Sequence, residues 1–186
     1  MTKITVFIIF FVTILGIVYL FANKPEVVKQ NTQNVKENIQ PMKITSSAFQ
    51  NNTKIPSKYT CDGENINPPL LFVSVPENAK SLSLIVDDPD SPTGTWDHWI
   101  VADIDPKIKE IPENNFPKGA VLGKNTFGKS SYGGPCPGSG LHHYHFKLYA
   151  LDTILNLTNP DKATLENEMQ GHILEKAELI GLYSRI

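Results

Sequence analysis

The sequence predicts an all-β-dominated domain, a β-sandwich core with one late peripheral helix. Three observations carry this. Apolar and β-branched residues recur in short runs of period two. These runs are separated by Pro/Gly-rich loops, with 14 Pro and 12 Gly in 186 residues. Helical spacing is convincing only near the C-terminus.

Residues 43–49 open as a short strand, and Asn51-Asn52 marks the turn that follows. Residues 58–69 form a loop centred on Cys61-Asp62-Gly63-Glu64-Asn65 and closed by Pro68-Pro69. Residues 70–75 are apolar and β-branched enough for a strand, which Pro76-Glu77-Asn78 terminates. Residues 81–86 set Leu82, Leu84 and Val86 against Ser81, Ser83 and Ile85, the alternation of a half-buried strand. The acidic run Asp87-Asp88-Pro89-Asp90-Ser91-Pro92 interrupts it, and strand character resumes over 98–104. Pro106, Pro112, Pro117, Gly119, Gly123 and Gly128 make 105–131 mostly loop, with one short strand. Residues 142–151 form the longest strand. Leu165, Met169, Ile173 and Ala177 recur at helical spacing, with Thr164 as N-cap and Gly181 as terminator, and 182–186 make a short final strand.

Residues 4–22 are apolar apart from Thr5, Thr13 and Gly16. At about 1.5 Å per residue, such a helix crosses a hydrocarbon core of about 30 Å. Leu20-Phe21-Ala22 lacks the small-x-small pattern of a cleavage site. The expectation is therefore an N-terminal transmembrane anchor, rather than a cleaved signal segment, over 1–22. A polar linker over 23–42 and a folded domain over 43–186 follow, in a single-pass membrane protein whose domain lies outside the cytoplasm. Lys+Arg number 17 against 19 Asp+Glu, and Arg185 is the sole arginine. Without a basic stripe, nucleic acid is excluded as a partner. Cys61 and Cys136 are the only cysteines. An oxidising compartment would allow them to pair, but a domain of this size needs no staple, and the reading favours two buried thiols.

The most informative stretch is Gly133-Gly134-Pro135-Cys136-Pro137-Gly138-Ser139-Gly140-Leu141-His142-His143-Tyr144. Glycines let backbone N–H groups approach a ligand, and prolines hold the loop's shape. His142 then stands where loop meets strand, on the same face as Tyr144. Backbone donors beside an imidazole and a phenol suit a small anion. Trp96-Asp97-His98-Trp99, following the acidic loop, supplies the opposite wall.

Together with Tyr59-Thr60-Cys61-Asp62-Gly63-Glu64-Asn65-Ile66-Asn67-Pro68-Pro69-Leu70 and Ala177-Glu178-Leu179-Ile180-Gly181-Leu182-Tyr183, these blocks resemble the phosphatidylethanolamine-binding protein family, more closely its bacterial Raf-kinase-inhibitor-like branch. The resemblance spans essentially all of 43–186. It implies two packed antiparallel sheets with a Greek-key connection and few helices. It also implies a pocket for phosphate, acetate or a phosphoethanolamine-like group, formed here by Asp88, Pro92, His98, Gly134, Pro135, His142 and Tyr144. A protein kinase or protease is the partner class the resemblance suggests. Gly138, where many bacterial relatives have proline, and His143, where they often have arginine, depart from the pattern.

The expectation is a non-enzymatic binding protein without cofactor. Asp88 is assigned to orient a histidine by accepting its hydrogen bond. Asp90, before Ser91-Pro92, reads equally well as a turn residue. The alternative is a hydrolase, using His142 with Cys136 as a nucleophile pair or a metal held by His143 and His145. Against it, Cys136 lies between two prolines and no third metal ligand follows His145 closely.

Overall fold

The computed structural model describes residues 40–185. The expected anchor at 1–22, and the expected linker up to residue 39, lie outside them. Among the described residues there are nine strands and one α-helix: β1 (Lys43–Thr45), β2 (Thr53–Lys54), β3 (Leu70–Val73), β4 (Ser81–Asp88), β5 (Trp96–Ile104), β6 (Glu110–Ile111), β7 (Val121–Leu122), β8 (His142–Leu151), α1 (Lys162–Glu168) and β9 (Ile173–Tyr183). A 3₁₀ turn at Ser57–Tyr59 begins the loop that was expected from residue 58.

Two sheets pack face to face. The small one has the order β1-β3-β6, and the large one has the order β2-β9-β8-β4-β5-β7. Pairing is antiparallel throughout, except between the edge strand β2 and β9. Strands β4, β5 and β7 lie side by side, and β8 returns by a long connection to the free side of β4. This is the four-strand order of a Greek key.

Between the sheets, Ile44, Leu70, Phe72 and Ile111 meet Leu82, Leu84, Val86, Phe146 and Leu148. Met42, expected to end the linker, is buried in the same core, and its N–H donates to Glu175 Oε1 (2.7 Å). On the outer side of the large sheet, Ile85, Ile100, Ala102 and Leu151 receive Leu165 and Met169 from α1 and its C-cap. The alternation in 81–86 led to the expectation of a half-buried strand, yet every residue of β4 is buried. A central strand covered by a sheet on one face and by a helix on the other has no solvent side. Of its serines, Ser81 Oγ donates to the Thr153 carbonyl (2.5 Å), whereas Ser83 Oγ is buried without a partner among the described residues.

Asp87, fully buried, has the Lys147 and Lys162 ammonium groups 2.8 and 2.5 Å from its carboxylate. Lys162 opens α1, so this ion cluster fixes the helix to the face of the sheet. The cap is Asp161, whose Oδ1 accepts from Thr164 N–H (2.9 Å), so the expected cap Thr164 sits inside the helix as the group being capped.

The expected long helix is corrected. It stops at Glu168, and Gly171, at φ +79°, reverses the chain into β9. Ile173 and Ala177 belong to that strand, which pairs with β8 from Leu151↔Ile173 to His142↔Tyr183. Leu179, Gly181 and Tyr183 alternate inward along it. The period of four that suggested a helix is also a multiple of two, and ten backbone pairs with β8 decide between them. Gly181 does not end a helix: it lets β9 pass Ile55, whose Cδ1 would lie 2.5 Å from an added Cβ.

Two further expectations fall. Cys61 and Cys136 are not buried thiols but a disulfide, with Cα atoms 5.4 Å apart. The backbone sets this up by bringing Cys61 N–H to the Pro135 carbonyl (3.0 Å). The single-pass, transmembrane and extracytoplasmic reading is also corrected: among the described residues, no helix is long and apolar enough to cross a membrane. With seven residues, α1 is about 10 Å long, a third of a hydrocarbon core.

Candidate functional site

Strand direction gathers the chemistry-bearing residues at one end of the large sheet. β4 finishes there with Asp88, β5 starts there with Trp96 and His98, and β8 starts there with His142. The 89–95 and 133–141 loops close the space from two sides. The resulting cleft, about 250 Å³, is lined by Asp88, Ser91, Pro92, Thr93, Trp96, His98, Phe127, Cys136, Pro137, Gly138 and His142.

His98 owes its position to a β-bulge. Val86 pairs with Trp99 and Asp87 with Asp97, so His98 is the extra residue on β5. Freed from the ladder, its carbonyl accepts from Gly133 N–H (2.9 Å) and from Asn125 Nδ2 (3.2 Å). Its ring Nδ1 donates in turn to the Gly133 carbonyl oxygen (2.6 Å). The ring is 2% exposed, and its Nε2 has no partner among the described residues. Burial pushes this imidazole below its ordinary pKa, against smaller opposing effects from the Gly133 backbone and Asp88.

His142 is held differently. Its Nδ1 donates to Asp88 Oδ2 (2.7 Å), the orienting contact expected of Asp88. Asp88 Oδ1 accepts from Asp90 N–H (2.9 Å), which shapes the turn. Both carboxylate oxygens are thus engaged, and the His142 ring is fixed with Nδ1 turned away from any ligand.

Four of the seven expected site residues, Asp88, Pro92, His98 and His142, line this cleft; Gly134, Pro135 and Tyr144 do not. Gly134 N–H donates to Asn65 Oδ1 (2.7 Å), and the Pro135 carbonyl accepts from Cys61. The loop's polar groups here knit it to the 58–65 segment. Tyr144 lies behind the histidines, its ring centroid 5.2 Å from His98 and 6.4 Å from His142. Its hydroxyl is buried without a partner. Burial first, then the Asp88 carboxylate, push that phenol far above its ordinary value, so it stays protonated. Phe127 and Trp96 complete the wall edge-to-face, with centroids 5.4 Å apart. Phe127 escaped the sequence reading; its only signal was an aromatic residue in a polar Asn-Thr-Phe-Gly turn.

His143 and His145 point away from the cleft side of β8. His143 Nδ1 donates to Asp90 Oδ2 (2.7 Å), and His145 Nδ1 to Glu178 Oε1 (2.9 Å). Among the described residues no group of three His, Cys, Asp or Glu could hold a metal. Cys136 carries no free thiol. Of the other clefts, one lined by Asn65, Trp99, Asn115, Phe116 and Tyr132 has no charged group or histidine. Another, with Lys80, Lys107 and Lys118, has only solvent-exposed ammonium groups, opposed by Asp103 and Asp105.

Comparison with known proteins agrees with this architecture. The family described as phosphatidylethanolamine-binding protein matches residues 45–184. The chain belongs to this family. A UPF0098 protein of Pyrococcus abyssi is 51% identical over 150 residues, covering 75% of this chain and 84% of its own. One from Methanothermobacter thermautotrophicus is 49% identical over 150 residues, covering 77% and 99%. The crystal structure of a phosphatidylethanolamine-binding protein homologue from Chlamydia trachomatis superposes with a TM-score of 0.76 at 43% identity, over 78% of this chain and 99% of that one. Escherichia coli YbcL, described as a member of the mammalian family, gives 0.74 at 29% identity, over 79% and 100%. The family match begins at residue 45, beyond the segment on which the membrane expectation rested.

Proposed function

We propose that this family member is a non-enzymatic binding protein, and that its cleft holds a small oxyanion such as phosphate, phosphoethanolamine or a carboxylate. The observation that carries this reading is the pair of buried imidazoles, His98 and His142. Each is tied down through Nδ1 by a separate acceptor, and each leaves Nε2 without a partner among the described residues. Two rings fixed in this way are preorganised to meet a ligand rather than each other. Trp96 adds an indole N–H, also buried and unpartnered, to the same wall. Presentation of the occupied cleft to a kinase or protease is compatible with the exposed Phe127 and Leu141 beside its mouth, 41% and 55% accessible. The hydrolase alternative is disfavoured by the disulfide at Cys136 and by the separate carboxylate partners of His143 and His145.

The test is an NMR titration of the full chain with inorganic phosphate and phosphoethanolamine, beside the His142→Ala variant. Saturable shifts at His98, His142 and Trp96 are expected, with affinity at least about tenfold lower in the variant, the loss of one charge-assisted hydrogen bond. Absence of binding of either anion from about pH 5.5 to about 8, the range over which histidine titrates, would overturn the reading.

A further inference from the structure

The protonation pattern of the cleft narrows the class of anion, and this inference rests on the oxyanion-binding reading above. A carbonyl oxygen only accepts, so the 2.6 Å contact between His98 Nδ1 and Gly133 fixes the His98 proton on Nδ1. A neutral ring then presents Nε2 as a bare lone pair. The ring is neutral near pH 7 because burial disfavours its cation. The inner wall of the cleft therefore carries an acceptor where an anion site would ordinarily carry a donor.

The charges around His98 point the same way. From β4, Asp88 faces the cleft with both oxygens engaged, and the buried Asp87 lies one residue behind it. From β8 come His142, hydrogen-bonded to Asp88, and the protonated Tyr144. The 133–138 loop brings no charge, and neither does Phe127. Among the described residues, no lysine or arginine lines the cleft. A dianion would enter beside a carboxylate with no fixed cation to meet it, and none of its oxygens could donate to Nε2. An anion that carries one proton satisfies both requirements.

We propose that the cleft takes inorganic phosphate or a terminal phosphomonoester as the singly protonated monoanion, its own P–O–H donating to His98 Nε2, and rejects phosphodiesters. A remaining phosphoryl oxygen accepts from Trp96 Nε1–H, which is buried and has no other partner among the described residues. No bond is made or broken. Relative to the dianion that predominates above pH about 6, one proton enters with the ligand. A phosphodiester is a monoanion without any O–H. To bind, it would have to place the proton on His98 itself, in the surroundings that disfavour the cation.

Calorimetric titration of the full chain at about pH 7.5, where a monoester is mostly dianionic, tests this. Methyl phosphate and phosphoethanolamine are the monoester probes; dimethyl phosphate and glycerophosphoethanolamine are the diesters, the last standing for a lipid head group. Phosphoethanolamine, no smaller than dimethyl phosphate, controls for size. Buffers of differing ionisation enthalpy report the protons taken up. Both monoesters are expected to bind with uptake of about one proton each, and to weaken about tenfold per pH unit above that value, as one linked proton requires. The diesters are expected to bind at least about tenfold more weakly, the effect of one unmatched buried hydrogen-bonding group. In His98→Gln, whose amide can donate, the monoester pH dependence should flatten. Equal affinity for dimethyl and methyl phosphate, or monoester binding without proton uptake, would overturn the proposal and leave the oxyanion site standing. Failure of every anion to bind would overturn both.

Discussion

A methyl group at Gly134 would reach places that are already filled. A Cβ there would lie 2.5 Å from the Tyr59 carbonyl oxygen, 2.6 Å from Asn65 Oδ1 and 2.8 Å from Thr60 Cα. Two of these are backbone atoms, and the third is the acceptor of the Gly134 N–H. The neighbours cannot rotate aside, so Gly134→Ala must separate the 133–138 loop from the 58–65 segment. Destabilisation of about 1–3 kcal/mol is expected, the usual cost of overpacking, together with weaker phosphate binding. Gly138→Ala is the control, since an added Cβ meets nothing within 4 Å. Urea unfolding of the two variants checks this, and equal midpoints would refute it. The contrast bears on what was legible from the sequence. The Gly-Pro loop announced itself, and the expected histidines and Asp88 meet at one cleft. The reason for Gly134 was not visible, because Asn65 is 69 positions away. A glycine that admits a ligand and one that admits a neighbouring chain look identical in sequence. Tyr144 was placed correctly on the His142 face of β8, but strand periodicity carries no information about depth, and it stands one layer behind the cleft.

The disulfide joins two loops rather than two strands. It closes 75 residues of sequence, for which chain-entropy arguments give about 4 kcal/mol of stabilisation. Because Cys136 also lines the cleft, replacing both cysteines should act twice. The Cys61→Ser/Cys136→Ser double variant is expected to lose about 2–4 kcal/mol in unfolding and to bind phosphate more weakly, with strands β4, β5 and β8 retained in its circular dichroism. Loss of stability with unchanged affinity would show that the hydrogen bonds from Cys61 N–H to Pro135 and from Gly134 N–H to Asn65 hold the loop without help from sulfur. The pairing was open in sequence because the domain has core enough without it; only the approach of the two loops decides the matter. The helix was misjudged for a related reason. Leu165 and Met169 do face the sheet at helical spacing, but Ile173 and Ala177 fit either period, and pairing with a strand from far upstream is not a local property. Gly171, with a positive φ, was the available stop signal, ten residues before the glycine that was read as one.

At the scale of the whole molecule, the sandwich was legible because alternation and Pro/Gly punctuation are written strand by strand. The complete burial of β4 was not, since it depends on the helix that covers the second face. A buried histidine in that frame makes global stability depend on pH in a definite direction. The folded-state pKa of His98 is depressed by burial, whereas in the unfolded chain it returns to about 6.5. As pH falls through that value the unfolded chain gains a proton that the folded one resists, so stability rises with pH across this window. The contribution is fully present above pH about 6.5 and is lost on acidification through the folded-state value. Carboxylates held below their ordinary range by partners act in the same direction but lower, below pH about 4: Asp62 through Tyr183 and Arg185, Asp90 through His143, and Glu113 through Lys58 and Tyr59. They are solvent-accessible, and each is worth little. Asp97, raised by burial ahead of the opposing pull of Lys162, runs the other way and above its ordinary value, but it is common to the wild-type and the His98→Gln variant. The interval from about pH 7.5 to about 5.5 therefore isolates histidine. Urea unfolding in phosphate-free buffers across it should show the wild-type losing stability relative to His98→Gln, whose side chain does not titrate. A difference between the two proteins that stays constant over the interval would mean that the imidazole accepts its proton in the folded cleft as readily as in water, and one that grows in favour of the wild-type on acidification would mean that it does so more readily.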